Sequence, residues 1–334
     1  MNKKLLRVVA MLALFCLATG FAFARGGSQS GNPNEKLIYA CMQGNSSGFV
    51  RFQVAAMNSY METQKPENIR LVVVFADDDP AKQLQQVETA IAEKAKEIIL
   101  NPVDKVQSTA GVEAAYKAKI PVITLSQQTD SPHESAFVGS EDKQSAILQF
   151  QQLFKDGPAN PRVAYINAVI GHSAQILREA GYKEMLAQNP RARLVVQNTA
   201  DWSSEKALAL VENWIQIYRN GSDPGIDMIA AQADIILLGA ITAVENAGLQ
   251  GKILLSGIDA DMPVLQKIKA GVVNNTIWND GTGQGETALK VAIDAANGKT
   301  VKTTLVPFQT ITRANVDEYI AKANARNALS AKYF

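Results

Sequence analysis

The sequence predicts an α/β protein of two lobes, each built on a doubly wound parallel sheet. Short apolar, β-branched runs alternate with segments in which apolar residues recur every three or four positions. This strand–helix alternation begins afresh near residue 141. A chain of 334 residues is also long for one hydrophobic core, so two lobes are expected.

The region from residue 71 to residue 126 shows the pattern most clearly. An unbroken apolar run, typical of a strand buried on both faces, is followed by a helical stripe at Leu84, Val87 and Ile91. The strands predicted in this region are 71–76, 98–100 and 120–125. Because helices separate these strands, we expect the strands to be parallel and joined by right-handed crossovers.

The rest of the chain continues in the same way. The other predicted strands are 37–42, 136–139, 162–167, 194–198, 227–231, 253–258 and 273–278. One later helix carries an apolar stripe at Ile235, Leu238 and Ile241. Residues 281–285 lack the Lys-Ser/Thr of a phosphate-binding loop and are interpreted as a flexible lead into the last large helix. An amphipathic helix is predicted within 313–334.

Polar side chains follow several of the predicted strands. Asp77, Asn101 and Ser126 each come directly after an apolar run, and Gln127 follows Ser126. In open α/β sheets, ligands bind beyond the carboxyl ends of the strands. The sequence therefore predicts a binding site at this edge.

The first 24 residues have the pattern of a secretory signal peptide. Three basic residues precede an apolar stretch, and Ala22-Phe23-Ala24 supplies the cleavage pattern of small residues. Residues 25–35 are interpreted as a flexible leader. Lipid anchoring at Cys16 is disfavoured because bulky Phe15 precedes it and because it lies inside the apolar stretch.

Charge and composition argue against several classes of function. Removing residues 1–24 takes away three of the 33 basic residues and none of the 32 acidic ones, which leaves a net charge of −2. Without a basic cluster, nucleic-acid binding is not expected. The two histidines show no metal-ligand spacing, and no nucleophile elbow is present, so neither a metal, a cofactor nor an enzyme is predicted. Cys41, left alone after cleavage, is expected to be buried.

Five stretches, in a consistent order and spacing, carry a family resemblance. They are DPAKQ at 79–83, ILNPVD at 99–104, IPVITL at 120–125, REAGY at 178–182 and SGID at 256–259. With these stretches the chain, over roughly residues 36–312, resembles the periplasmic sugar-binding proteins of the ribose and galactose type. These are type I periplasmic binding proteins, the soluble receptors of ABC importers.

The resemblance implies two lobes joined by a three-crossing hinge that closes on one small sugar-like ligand. One lobe would comprise 36–140 and 280–308, and the other 141–279 and 309–334. The crossings are expected near 140–141, 279–280 and 308–312. The protein would be a periplasmic monomer whose closed form is recognised by a membrane permease.

The resemblance also implies which side chains contact the ligand. The expected contacts are Ser46, Phe49, Asn101, Ser126, Gln127, Arg178, Trp202, Asp234, Asp259 and Asn279. The aromatic rings would stack on the apolar faces of a sugar, and the polar groups would bind its hydroxyls. Ribose-type proteins usually carry an Asp-Arg pair at 126–127 and commonly an Asn at position 233, here Ala. A modified sugar, a polyol or a nucleoside-like ligand is therefore expected.

The residues alone leave alternatives open. Arg178 is also compatible with a surface position, and Asp259 with a helix cap. His172, which opens a predicted helix near the cleft, could reach a ligand, although solvation of the helix start is the simpler interpretation. For the whole chain, one alternative is a sensor subunit for a chemoreceptor or kinase. Another is a hydrolase that uses Asp234 and Asp259 as paired carboxylates.

Overall fold

Two six-stranded sheets, each flanked by helices, make up the chain from Lys36 to Phe334. They are seen in a computed structural model, which describes residues 34–334. The predicted signal peptide, Cys16 and the leader up to residue 33 lie outside the described residues. The predicted class, two α/β lobes with parallel-sheet cores, is confirmed.

The elements alternate along the chain almost throughout. The strands are β1 (Lys36–Met42), β2 (Ile69–Phe75), β3 (Glu97–Leu100), β4 (Val122–Leu125), β5 (Ala136–Gly139), β6 (Arg162–Asn167), β7 (Arg193–Thr199), β8 (Met228–Ala231), β9 (Leu254–Ile258), β10 (Asn275–Trp278), β11 (Thr304–Leu305) and β12 (Gln309–Thr312). The helices are α1 (Gly48–Gln64), α2 (Pro80–Ala92), α3 (Thr109–Lys117), α4 (Asp142–Asp156), α5 (Ser173–Gln188), α6 (Ser204–Tyr218), α7 (Asp234–Asn246), α8 (Met262–Lys269), α9 (Gly281–Ala296) and α10 (Val316–Tyr333).

Each sheet forms the centre of one lobe. The first lobe has the strand order β11-β5-β4-β3-β1-β2, and all of its pairings are parallel. The second lobe has the order β12-β10-β9-β8-β6-β7. Its edge strand β12 runs antiparallel to β10, and its other pairings are parallel.

Strand β1 shows why the apolar runs become central strands. Side chains alternate between the two faces of a strand. Ile38, Ala40 and Met42 pack into one core cluster of the first lobe, whereas Leu37, Tyr39 and Cys41 pack into another. A strand covered on both faces gains from apolar residues at every position, which explains the lack of alternation in the sequence.

The chain passes between the lobes three times. Residues 140–141 lead from β5 to α4, which packs against β9 and β10. Residues 279–280 lead from β10 to α9, which packs against β3 and β4. Residues 306–308 join β11 to β12. Part of the third segment expected to cross, 309–312, is instead β12, because it pairs with β10 along its whole length.

The last helix, α10, spans from one lobe to the other. Val316, Tyr319 and Ala323 in its first half pack into the core of the second lobe. Near its end, Lys332 forms an ion pair with Glu62 on α1 of the first lobe. The ring of Phe334 contacts that of Phe75 edge-on, with centroids 6.2 Å apart. The helix therefore holds both lobes on the hinge side.

The helix predicted around Ile235, Leu238 and Ile241 is present as α7, but these residues do not all lie on its buried face. On α7, Ile236, Leu237, Ala240 and Ile241 are buried, while Ile235 is 43% exposed. This helix is apolar nearly all round, so its periodicity does not identify one face.

The glycine-rich segment at 281–285 is not a flexible lead but the first turn of α9. Asp280 caps this helix by accepting a hydrogen bond from the backbone N–H of Gly283 at 2.9 Å. A Cβ at Gly285 would lie 2.2 Å from the carbonyl oxygen of Gln53, so the glycine permits α9 to approach α1 closely. Within residues 34–334, no helix is both long and apolar enough to cross a membrane.

Candidate functional site

The loops at the carboxyl ends of both sheets meet in a cleft between the lobes. Gln127 follows β4 of the first lobe, and its amide nitrogen lies 3.0 Å from Nε2 of His172 in the second lobe. Ser173 donates a hydrogen bond to Oε1 of the same glutamine at 3.4 Å. Polar side chains from the two sheets therefore face each other at the edge where ligands bind in such folds.

Asn101 and Ser126 of the first lobe are tied to their surroundings. The amide of Asn101 donates to the carbonyl of Leu125 at 2.9 Å and accepts from the backbone N–H of Gln43 at 3.3 Å. Ser126 adopts a left-handed conformation (φ 63°), and its hydroxyl donates to Oε1 of Gln284 at 2.6 Å. These bonds fix the strand ends that form the first wall of the cleft.

Ser46 and Phe49 occupy the first loop and the start of α1. Ser46 is exposed, and Phe49 is half-buried. A Cβ at Gly281 would lie 3.0 Å from the ring of Phe49, so this ring packs against the start of α9 at the second crossing.

Arg178 and Asp142 form a buried ion pair in the second lobe. Arg178 is 4% exposed, so the alternative of a surface position is wrong. Its Nε and Nη2 lie 2.9 and 2.8 Å from the same carboxylate oxygen of Asp142. Nη1 donates to the carbonyl of Gln232 at 2.5 Å. Burial lowers the pKa of Arg178, but the nearby Asp142 and Asp259 raise it more, so the guanidinium stays charged.

Asp259 and Asn279 lie side by side where β9 and β10 end. Asn279 donates to a carboxylate oxygen of Asp259 at 3.2 Å. Asp259 has φ 111°, a strained backbone conformation for a residue with a side chain. Burial, opposed by the positive charge of Arg178, raises the pKa of Asp259 to about 7. The positive charge of Arg178 therefore acts on Asp259. When it is ionised, the carboxylate of Asp259 can accept hydrogen bonds from hydroxyls.

Asp234 is placed differently from the other predicted contacts. It is fully buried in the first turn of α7. One carboxylate oxygen accepts from the hydroxyl of Thr276 at 2.8 Å, and the other accepts from the backbone N–H of Asp261 at 2.9 Å. Burial first, and then Asp261 and Asp259, raise its pKa. The bonds of Asp234 hold the loop that carries Asp259.

Trp202 follows β7 and lies beside His172, which follows the neighbouring strand β6. Trp202 has φ 59°, and the edge-on contact between the two rings has a centroid distance of 5.5 Å. Its indole packs partly against the main core of that lobe. One surface of the ring is thereby supported, as a stacking platform for a ligand requires.

Two residues that the sequence did not single out connect these parts. Gln284 on α9 donates to the hydroxyl of Ser140 and to Oδ1 of Asn279, both at 2.9 Å. Because it also accepts from Ser126, it links two crossings of the hinge to the first wall of the cleft. In the sequence, Gln284 is a polar residue like any other near the start of a helix, so only the fold reveals this role.

The other such residue is Arg326 on α10. It is 4% exposed and donates to the carbonyls of Asp259 at 3.2 Å and Ala260 at 2.9 Å. Its guanidinium lies over the rings of Phe52 at 4.3 Å and Trp278 at 4.8 Å. The last helix thus supports the strained Asp259 loop from behind while touching α1 of the first lobe.

Metal chemistry has no support in the part of the chain that the structure describes. Residues 34–334 contain no group of three or more His, Cys, Asp or Glu side chains arranged to hold a metal ion. The carboxylate, guanidinium, amide and aromatic groups described above suit a neutral ligand with several hydroxyls and apolar faces.

Residues 38–300 match a family described as a periplasmic binding protein domain. The match covers most of the chain, which belongs to this family. Among solved structures, the chain is similar to an ABC transporter solute binding protein from Bacillus halodurans C-125 with bound myo-inositol. The two are 32% identical, with a TM-score of 0.80, over 87% of this chain and 99% of that one.

The matches to two further relatives extend over most of the length of those proteins. An ABC transporter periplasmic solute binding protein from Actinobacillus succinogenes 130z, solved with bound D-allose, is 26% identical and covers 85% of this chain and 100% of its own, with a TM-score of 0.77. A xylitol-binding protein from Mycolicibacterium smegmatis is 27% identical over 93% of this chain and 87% of its own. The predicted family is therefore confirmed.

Proposed function

We propose that this protein is the solute receptor of an ABC importer and that it captures a small polyhydroxylated ligand by closure of the two lobes. The observation that supports the proposal is that Gln127 of one lobe faces His172 and Ser173 of the other. The ring of Trp202 contacts His172, and the charge of Arg178 acts both on His172 and on the Asp259 carboxyl beside Asn279. These groups combine bidentate polar partners with aromatic faces, which is what hydroxyl-rich rings require.

A polyol is the ligand class we infer first. The relative at 32% identity was solved with myo-inositol, and another relative is a xylitol-binding protein. Ser126 and Gln127 are neutral where ribose-type receptors usually carry an Asp-Arg pair, so these two positions offer an amide and a hydroxyl group instead of charges. Neutral groups of this kind suit a ligand that carries hydroxyls all round rather than a charged one.

Export to the periplasm is part of the same proposal. The pattern of residues 1–24 supports a cleavable signal peptide, and the family is periplasmic by description. We further infer a monomer that is recognised by a membrane permease, and transport rather than sensing as its role. Binding without turnover is expected, because Asp234, one half of the carboxylate pair considered for hydrolysis, has both oxygens engaged inside its own lobe.

A thermal-shift screen of the mature protein across polyols, sugars and nucleosides tests the proposal. A compound that binds only the folded form stabilises it by about 2.7 kcal/mol at a hundred times its Kd. We expect myo-inositol or another polyol to raise the melting temperature most, and calorimetry to give one site per chain. A screen in which every polyol and sugar leaves the melting temperature unchanged would overturn the proposal.

A further inference from the structure

The guanidinium of Arg326, on the last helix α10, touches both lobes near the second hinge crossing. Its central carbon lies 4.3 Å from the ring centroid of Phe52, on α1 of the first lobe. The same carbon lies 4.8 Å from a ring centroid of Trp278, on β10 of the second lobe. Both distances are within the range at which a cation is attracted to an aromatic face. Because Trp278 is the last residue before the crossing at 279–280, these contacts lie where the lobes are joined.

The same guanidinium holds the backbone that follows β9. Nη1 donates to the carbonyl of Asp259 at 3.2 Å, and Nη2 donates to the carbonyl of Ala260 at 2.9 Å. The planar fork of an arginine suits two acceptors that lie side by side. Because Arg326 is only 4% exposed, water has little access to take its place as the donor. We call residues 259–261 the Asp259 turn.

Two successive residues of the Asp259 turn have left-handed backbone conformations. The φ angle is 111° at Asp259 and 56° at Ala260, and neither residue is a glycine. Such conformations cost free energy in residues with a side chain, and they persist only where the surrounding structure holds them. The direction of the Asp259 carboxylate therefore depends on the contacts that hold this turn.

The N–H groups and the carbonyls of the turn are held by different parts of the molecule. The N–H of Asp259 donates to the carbonyl of Ile277 at 2.8 Å, and the N–H of Asp261 donates to a carboxylate oxygen of Asp234 at 2.9 Å. Both acceptors belong to elements of the second lobe. The carbonyls are held by Arg326, which also touches the first lobe. The turn is thus within reach of a change in the position of either lobe.

Charge favours this position of the guanidinium. Burial lowers the pKa of Arg326, and four carboxyl groups around it oppose the shift; they are Asp261, Asp259, Asp234 and Asp280. An arginine keeps its charge in proteins, so the cation is permanent. Burial raises the pKa of Asp261, and the charge of Arg326 opposes that rise. A fixed positive charge therefore accompanies the carboxyl groups that the turn brings together.

We propose that Arg326 is a positioning residue of the ligand site, which couples the orientation of Asp259 to the position of the first lobe through its contact with Phe52. The inference rests on the proposed function, in which Asp259 contacts the ligand. Arg326 acts through the backbone of the Asp259 turn rather than through the ligand. Because Phe52 belongs to one lobe and the turn to the other, a movement of the lobes changes the contacts of the guanidinium. Closure and the placement of the carboxylate are thereby linked.

Hydrogen exchange of the Asp259 turn, followed by mass spectrometry, tests the inference without a ligand. Phe52→Leu removes the ring from Arg326 but changes no residue of the second lobe. We expect the amides of the turn to exchange about threefold faster in this variant, the effect of one lost cation–π contact. Arg326→Met leaves two carbonyls without their donor, so it should accelerate the exchange about tenfold.

Tyr60→Leu is the matched control for Phe52→Leu. Tyr60 also lies on α1 and also has a cation over its ring, Nζ of Lys290 at 5.5 Å, but both of these residues belong to the first lobe. Its replacement should leave the exchange of the Asp259 turn at the wild-type rate. An unchanged rate in Phe52→Leu, or an equal acceleration in Tyr60→Leu, would overturn the inference.

Calorimetry with myo-inositol tests whether the coupling reaches the ligand. Phe52→Leu should bind about threefold more weakly than the wild type, but it should lose almost nothing further when it is introduced into Arg326→Met. A merely structural role of the two residues predicts independent effects, so an equal loss in both backgrounds would contradict the coupling. If the wild type binds no polyol or sugar, the proposed function fails instead, while hydrogen exchange still decides whether the first lobe acts on the Asp259 turn.

Discussion

Replacing Arg178 is expected to affect folding and binding together, because its guanidinium is the buried partner of Asp142. Arg178→Met would remove two contacts to the carboxylate, at 2.9 and 2.8 Å, and one to the carbonyl of Gln232. Asp142, itself only 7% exposed, would be left as an unpaired buried charge. Removing one partner of such a pair typically costs about 3–5 kcal/mol, a large share of the roughly 5–15 kcal/mol that stabilises a folded domain.

The double variant Arg178→Met/Asp142→Asn separates the two effects. Without the carboxylate, no buried charge is left unpaired, so most of the lost stability should return. Myo-inositol binding should be lost in both variants, because the methionine at position 178 cannot donate to the ligand hydroxyls as the guanidinium does. Urea unfolding followed by circular dichroism gives the free energies, and calorimetry gives the binding.

Two results would refute this reasoning. If the free energy of unfolding of Arg178→Met lies within about 0.5 kcal/mol of the wild-type value, the ion pair with Asp142 is not a buried one, since that is the usual range for surface substitutions. A double variant that is stable and binds myo-inositol as tightly as the wild type would show that Arg178 contacts no ligand.

Three further predictions concern other charged groups. Asp259 has a pKa of about 7, so the affinity of the wild type for myo-inositol should rise about tenfold from pH 6 to pH 8 as the carboxylate ionises, and calorimetry of Asp259→Asn should show no such rise. Burial raises the pKa of Glu97 to about 9, so the free energy of unfolding of the wild type should fall as the pH rises from about 4 toward 9. In urea unfolding, the free energy of unfolding of Glu97→Gln relative to the wild type should therefore be larger at pH 8 than at pH 5. An equal difference at both pH values would contradict the raised pKa of Glu97. Arg326→Ala should cost about 3 kcal/mol by leaving two carbonyls unpaired, whereas Lys322→Ala on the exposed side of the same helix should stay within about 0.5 kcal/mol.

The sequence was sufficient to predict the elements whose pattern has a local cause. Central strands such as β1 are apolar at every position because both faces are covered. The edge strands β11 and β12 were not predicted, because short strands at an edge carry no comparable pattern. For α7, an almost uniformly apolar surface concealed which face is buried.

The candidate site was predictable only in part. The family resemblance indicated Arg178 and Asp259, but periodicity alone would place such an arginine at the surface. Gln284 and Arg326 act through partners that are far away in the sequence, across the hinge and on the last helix. Long-range contacts of this kind leave no local trace in a single sequence, so they become visible only once the fold brings the partners together.

A measurement of the change in conformation on ligand binding in solution tests the central claim most directly. Small-angle X-ray scattering of the mature protein, with and without saturating myo-inositol, measures the separation of the two lobes. We predict that the ligand reduces the radius of gyration, because it shifts the population toward the closed form. A polyol or sugar that binds by calorimetry yet leaves the scattering curve of the protein unchanged would contradict capture by closure of the two lobes.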